Sequence, residues 1–270
     1  MAYRNKIVLI AFLILLTAIL SAGCMFEFVR AREEERKTVA AADELTLELH
    51  NRNGNVDIHS WNQDYVDVVA IKESVWGKDE LEHVRILVDS TTEKICVETE
   101  YLKRNARVSV MYQIRVPANV SVSIVETSNG SINIQGVSGD LIAETSNGSV
   151  EIRNVDGSVR AATSNGKIDI TGVAGVQEVK TSNGSISVEM PQITGDTSIR
   201  TSNGSIKVYL ADDLDANLEA DTSNGKIDVH AVSLTVETVN NTYLKGKLGS
   251  GGALLDLSTS NGSIDLFVLK

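Results

Sequence analysis

The chain is poor in cysteine, in aromatic residues and in bases. It has 2 Cys, at positions 24 and 96, in 270 residues. That is too few for a disulfide framework or a four-ligand zinc site. Aromatic residues make up only 4%, so the core is expected to be thin and aliphatic rather than a wide pocket lined with rings. Lys and Arg number 25 against 36 Asp and Glu, a net charge of −11. Residues 1–23 hold Arg4 and Lys6 and no acid, so a chain without them is more acidic still. Nucleic-acid binding depends on a basic face that releases counterions, and this balance argues against such a partner. Hydrophobic residues reach 42%, enough for an ordinary core and against general disorder. Length permits one or two domains.

The first residues follow the order of an export signal. Met1 to Lys6 carries Arg4 and Lys6, Ile7 to Leu20 is almost unbroken apolar sequence, and Ser21-Ala22-Gly23-Cys24 follows. The run is shorter than the roughly 20 residues of a spanning helix. Small residues directly before a cysteine resemble the lipobox of prokaryotic lipoproteins, with Ser21 standing where leucine is usual. The resemblance implies a signal peptide over 1–23 and a lipidated Cys24 as the first residue of the mature chain. The alternative is an uncleaved anchor over Ile7 to Phe26, which the positive flank also fits. Either places the body outside the cytoplasmic membrane. Residues 24–42 include Arg30-Ala31-Arg32-Glu33-Glu34-Glu35-Arg36-Lys37, which has no apolar stripe and reads as a solvated, charged tether.

The second half is dominated by self-similarity. Thr-Ser-Asn-Gly begins at Thr127, Thr145, Thr163, Thr181, Thr201, Thr222 and Thr259, at intervals of 18, 18, 18, 20, 21 and 37. The last interval is close to two periods and reads as one degenerate turn, with Leu244-Lys245-Gly246-Lys247-Leu248 standing in. After each glycine comes an apolar, variable, apolar run, such as Ser131-Ile132-Asn133-Ile134 or Lys167-Ile168-Asp169-Ile170. Period-two alternation of β-branched residues marks a half-buried strand. A second turn (Ser138-Gly139-Asp140, Asp156-Gly157) and a second strand complete each period.

Two architectures fit. Asn-Gly between alternating runs suggests an antiparallel meander. A β-solenoid, with one coil per period, is favoured for three reasons. The corner is kept while the other connection varies in length. Stacking sets identical residues about 4.8 Å apart, where Asn and Thr side chains can form ladders. Tyr209, Tyr243 and Phe267 are the only aromatics after residue 121, which suits a narrow interior. The expected fold is all-β, a solenoid of about seven or eight coils over 126–270 with a non-repeating N-terminal β cap over 43–125. In the cap, strands are expected at Leu45–His50, Val56–His59, Tyr65–Ile71, Val84–Asp89, Lys94–Tyr101, Arg107–Val116 and Val120–Val125. A short helix or loop is expected at Gly77 to His83. Asn53-Gly54-Asn55-Val56-Asp57-Ile58 reads as a worn copy of the repeat.

These segments, with Val108 to Pro117 and the serial Thr-Ser-Asn-Gly-Ser-Ile units, resemble the bacterial and archaeal family of β-repeat domains labelled putative adhesins. The resemblance covers about residues 43–270. It implies a surface-exposed β-helical domain, often membrane-anchored, without established catalytic residues; some members are linked to envelope-stress signalling.

No motif specifies chemistry. The corner pairs Asn129-Gly130, Asn147-Gly148, Asn165-Gly166, Asn183-Gly184, Asn203-Gly204, Asn224-Gly225 and Asn261-Gly262 read as structural turns, because Asn tolerates and Gly favours left-handed backbone. Asn129, Asn147, Asn183, Asn203 and Asn261 also fit Asn-x-Ser, but a turn asparagine with a backbone role is a poor glycan acceptor. Outward positions of the strand after each corner read Asn133, Glu151, Asp169, Ser187, Lys207, Asp228 and Asp265. Their mixed signs suggest a solvated face rather than a paired acid and base. Asp212-Asp213-Leu214-Asp215 reads as a solvated loop. His50, His59, His83 and His230 lack ligand spacing, and Cys96 reads as a lone buried thiol. No metal, cofactor or catalytic residue is expected. The sequence thus points to a non-enzymatic scaffold, attached to the membrane by lipid or by an N-terminal helix, that contacts envelope polysaccharide or a surface protein. A sensor acting on a membrane partner and a polysaccharide-active β-helix enzyme are the alternatives.

Overall fold

The fold is that of a computed structural model of the chain, which describes residues 13–15, 30–41 and 44–269. It is all-β, and its one described helix is a 3-10 turn over Lys78–His83. In chain order the strands are β1 (Leu13–Leu15), β2 (Ala31–Ala40), β3 (Leu45–His50), β4 (Val56–Trp61), β5 (Tyr65–Ser74), β6 (Val84–Ser90), β7 (Lys94–Tyr101) and β8 (Ser109–Pro117). Then come β9 (Val120–Asn129), β10 (Ile132–Gln135), β11 (Leu141–Asn147), β12 (Val150–Asn165), β13 (Ile168–Asn183), β14 (Ile186–Met190) and β15 (Thr197–Asn203). The chain closes with β16 (Ile206–Leu210), β17 (Ala216–Asn224), β18 (Ile227–His230), β19 (Leu234–Val239), β20 (Tyr243–Leu248), β21 (Leu254–Asn261) and β22 (Ile264–Val268).

Successive repeats pair in parallel and in register, Thr with Thr and Asn with Asn. A meander would pair them antiparallel, so the repeats stack as solenoid-like rungs. Each rung has a strand running into its Asn-Gly corner and a strand leaving it. The entering strands stack in the spatial order β7, β3, β9, β11, β12, β13, β15, β21, β17. The leaving strands stack as β8, β4, β10, β12, β13, β14, β16, β22, β18. The 16-residue strands β12 and β13 bend through the second turn, so their two ends lie in different stacks.

Spatial order departs from chain order near both ends. The rung of β3 and β4 is inserted between those of β7/β8 and β9/β10. The C-terminal rung, β21 and β22, is inserted between those of β15/β16 and β17/β18. The long last interval therefore hides no degenerate coil. Tyr243–Leu248 is a strand that pairs antiparallel with β17 and β19. The repeats are interchangeable, so a late copy fits any slot that offers two matching neighbours, and an inner slot offers two parallel ladders instead of one.

Residues 43–125 hold two rungs of the same stacks together with antiparallel strands. β5 pairs with β8, and β6 pairs with β7. β2 pairs with β5 along its whole length. The segment expected to be a charged tether is thus largely a strand. It lacks an apolar stripe because its alternation is written in charge: Glu33 and Glu35 meet the buried Lys72 at 3.2 and 2.6 Å, while Arg36 reaches Asp67 from the other face. Leu13–Leu15, inside the expected signal segment, pairs antiparallel with β2.

Between the stacks runs one continuous aliphatic core. Ile132, Val150, Ile168, Ile186, Ile206 and Ile264 form one buried row, because they hold the same register position in adjacent rungs. Such a row adds about 1.5–3 kcal/mol per fully buried side chain relative to exposure. Among the described residues Tyr112 is the one ring among the fully buried side chains, in keeping with the low aromatic content.

Candidate functional site

The most regular surface is the edge formed by the corners. In each Thr-Ser-Asn-Gly the threonine is buried and the serine and asparagine are exposed. The asparagine amides form one continuous ladder. Asn129 donates from Nδ2 to Asn53 Oδ1 at 2.7 Å, and Asn147 to Asn129 at 2.8 Å. Asn165, Asn183 and Asn203 continue it at 2.9 to 3.0 Å. Asn261 then donates to Asn203 and Asn224 to Asn261, so the ladder follows spatial and not chain order. The worn copy at Asn53-Gly54 is its first member. Each buried threonine hydroxyl donates to the glycine carbonyl of the adjoining rung, as Thr163 does to Gly148 at 3.0 Å and Thr222 to Gly262 at 2.9 Å.

This geometry changes the reason for the motif. The described non-glycine residues with positive φ are Glu44, Asn154 and Ala231, so no corner asparagine is left-handed. Asparagine is there because its amide is donor and acceptor at once and can bond to its own kind above and below. Glycine is there because the rungs approach closely: a Cβ on Gly130, Gly148, Gly166, Gly184, Gly204, Gly225 or Gly262 would fall on the carbonyl of the next rung's glycine, far inside contact distance. An amide held in such a ladder is poorly placed to accept a glycan.

The outward faces are polar and mixed in sign. On the leaving strands one row runs Asp57, Asn133, Glu151, Asp169, Ser187, Lys207, Asp265, Asp228 in spatial order. Several of its charges pair with a residue two places away along the chain, as Asp169 does with Lys167 at 2.5 Å and Asp228 with Lys226 at 2.6 Å. On the entering strands a row runs Glu126, Glu144, Ala162, Lys180, Arg200, Ser258, Asp221. A shallow cleft of about 480 Å³ opens on that side, and its acids are Glu178, Asp196 and Asp256. Asp196 accepts the Leu254 backbone N–H at 2.8 Å, and Asp256 is held by Arg200. The guanidinium of Arg200 has its pKa raised by that hydrogen bond.

The other candidates fall as follows. Asp215 accepts the Ser250 backbone N–H at 2.6 Å, so this acid fastens two loops rather than standing free in solvent. His50 contacts Glu126 at 2.9 Å and His83 lies 3.7 Å from Glu80. Cys96 is half-buried, and desolvation pushes its thiol pKa up. Cys24 and the expected signal cleavage lie outside the described residues. Among the described residues no helix is long and apolar enough to cross a membrane. Sequence reasoning missed an exposed patch near the N-terminal end, where Arg107 lies 4.0 Å over the Trp76 ring, beside Val75. Nothing in the local pattern signals it, because β5, which leads into Trp76, and the loop before β8, which holds Arg107, meet only in the fold.

The profile of the Toastrack DUF4097 family matches residues 28–266. Among solved structures, a putative cell adhesion protein from Clostridium sporogenes is 13% identical, with a TM-score of 0.36, over 88% of this chain and 100% of that one. A putative adhesin from Bacteroides fragilis is 13% identical, with a TM-score of 0.40, over 86% and 96%. A putative lipid binding protein from Parabacteroides distasonis is 14% identical, with a TM-score of 0.40, over 88% and 97%. No curated protein matches the chain. The match over most of its length places this chain in the Toastrack DUF4097 family.

Proposed function

We propose that this chain is an exported, membrane-anchored scaffold without enzymatic activity, which contacts envelope or extracellular polymers along its outward edge in the manner of an adhesin. The observation that carries the reading is the corner ladder. It sets exposed Ser and Asn at one position in each of the seven Thr-Ser-Asn-Gly rungs, and a repeating polymer meets such a row as many equivalent weak contacts. The apolar run over Ile7 to Leu20 supports export, and Cys24 is the proposed lipidated first residue of the mature chain. The chain then sits at the outer face of the cytoplasmic membrane or in the cell envelope.

Two measurements test this. Mass spectrometry of the native N-terminus is expected to find a diacylated Cys24; an intact Met1 overturns the lipid anchor in favour of the uncleaved helix. Pull-down of envelope polysaccharide by the full chain in detergent micelles is expected to succeed, and to fail when Ser146, Ser164 and Ser182 are replaced by Glu. Equal capture by both overturns the edge as the working surface. Cleavage of the polysaccharide would overturn the non-enzymatic reading. Deletion that alters envelope-stress output while leaving attachment unchanged would assign the chain to sensing instead.

A further inference from the structure

The spatial order of the rungs brings together three side chains that are far apart in sequence. Asp228 and His230 lie two residues apart on β18 and so point to one face. Parallel pairing sets Asp265 of β22 directly opposite Asp228, and Phe267 opposite His230. Donor atoms of Asp228, His230 and Asp265 all lie within 4.8 Å of one another. His230 Nε2 is 3.6 Å from Asp265 Oδ1.

The groups around the three side chains hold them in that arrangement. The imidazole stacks flat on Phe267, with ring centroids 4.5 Å and planes 7° apart, and Phe267 stacks in turn on Tyr209. The Ser263 hydroxyl donates to Asp265 Oδ2 at 2.9 Å, which leaves Oδ1 facing the imidazole. Fixing of donor atoms by surrounding contacts is what orients metal ligands. Two carboxylates set opposite each other on neighbouring strands also repel. Asp228 has a cation in Lys226, at 2.6 Å, whereas Asp265 Oδ1 faces the His230 ring across the strands, at 3.6 Å.

We propose that Asp228, His230 and Asp265 bind a divalent transition ion of the Zn²⁺ class, which ties the outermost rung of the stack to the C-terminal rung. One imidazole with two carboxylates suits Zn²⁺ and its neighbours, whereas Mg²⁺ and Ca²⁺ prefer all-oxygen shells. The neutral imidazole contributes Nε2 and each carboxylate one oxygen, while water completes the shell. Binding draws Asp228 away from the Lys226 ammonium, so that lysine competes with the metal. The site was not visible in the histidine spacing, because its third ligand comes from a strand inserted from the end of the chain.

The test is titration of the full chain in detergent micelles with ZnCl₂, with MgCl₂ as control. Calorimetry follows binding, and amide hydrogen exchange follows β18. Zn²⁺ is expected to bind and to slow exchange in β18, and Mg²⁺ to do neither. His230→Ala is expected to weaken Zn²⁺ binding by more than about tenfold, and Asp265→Asn to weaken it likewise. Lys226→Ala is expected to tighten it, a result that loss of folding cannot produce. Unchanged β18 exchange in the wild-type chain overturns the proposal, as does Zn²⁺ binding that His230→Ala and Asp265→Asn leave intact.

Discussion

At the N-terminal end of the stack, β8 is followed by three further antiparallel strands, β5, β2 and the short β1, and β7 is covered by β6. At the C-terminal end, β17 is covered by β20 and β19, but β18 has, among the described residues, no strand beyond β22. An open strand edge offers unpaired backbone to other chains, and the two ends deal with it by different chemistry. The N-terminal end buries it, at the cost of taking polar groups inside: Asp67 is fully buried, and Tyr112 is fully buried with its hydroxyl 2.7 Å from Thr99. The C-terminal end leaves the β18 edge open and lines it with polar groups, in Lys226, Asp228 and His230. Between them the middle rungs have a rung on either side. A rung's tolerance of change therefore depends on whether it has one neighbour or two.

The largest expected effect sharpens that contrast. In Gly166→Ala the new Cβ meets the backbone carbonyl of Gly148, and the rungs on both sides prevent either partner from moving away. The loss is expected to be at least about 3 kcal/mol. In Gly225→Ala the same clash falls on Gly262, but past this corner β18 has only the one strand β22 beside it and can lift away, so the loss is expected to be about 1 kcal/mol. Urea unfolding of the two variants measures both, and equal losses would break the comparison.

The buried charge of the N-terminal end comes next. Asp67 accepts two hydrogen bonds from Arg36, at 2.7 and 3.0 Å, and one from Arg115 at 2.9 Å. These bonds and the carboxylate charge raise the Arg36 pKa. Asp67→Ala is expected to cost about 2 kcal/mol, less than a fully buried pair would, because both guanidinium groups are about half exposed and partly screened by water. Thermal unfolding reads the loss. The C-terminal counterpart, Lys226→Ala at an exposed pair, is expected to leave the metal-free unfolding temperature nearly unchanged.

Tyr112 gives the N-terminal end a pH signature. Burial pushes the phenol pKa above its ordinary value near 10. The folded chain therefore keeps the proton at a pH where the unfolded chain releases it. Stability from this group is fully present below pH about 10 and is lost as pH rises beyond it. Tyr112→Phe is expected to cost about 1 kcal/mol at neutral pH through the lost bond to Thr99, and to flatten the alkaline decline in urea midpoints. Tyr101, also raised by desolvation, keeps the decline from vanishing.

How much of this was legible in the sequence follows from what each segment shares with its neighbours. Lys94–Tyr101 was readable because Ile95, Val97 and Thr99 alternate with outward residues, and the strand has those bounds. Stacking and register were readable from the recurrence of Thr-Ser-Asn-Gly, since identity is useful only between layers in contact. The order of the layers was not readable, because interchangeable rungs carry no address and Thr259 fits beside Thr201 as well as after Thr222. The strand over Ala31–Ala40 was missed because its alternation is of charge, matched to charges on β5 that lie far along the chain. The corner asparagines were found, but their role had to come from geometry, since a left-handed turn and an amide ladder favour the same residue. The Asp228, His230 and Asp265 cluster depends on layer order and was hidden with it.

The smallest expected effect tests that ladder directly. Asn165 donates to Asn147 and accepts from Asn183, so Asn165→Ala removes two bonds and leaves one donor and one acceptor facing water. Asn224 stands at the last rung and only donates, to Asn261. These side chains are exposed, so water re-forms part of what is lost, and the net cost is expected to be about 0.5 kcal/mol per bond. Asn165→Ala should then lower stability by about 1 kcal/mol and Asn224→Ala by about half of that. Urea midpoints of the two variants at unchanged m-value decide the matter. A twofold difference means that stability is added bond by bond along the edge, and that the middle is firmer than the ends for that reason as well as for its packing. Equal losses would mean that asparagine acts through its own corner alone, with the amide ladder a consequence of the stacking and no cause of it.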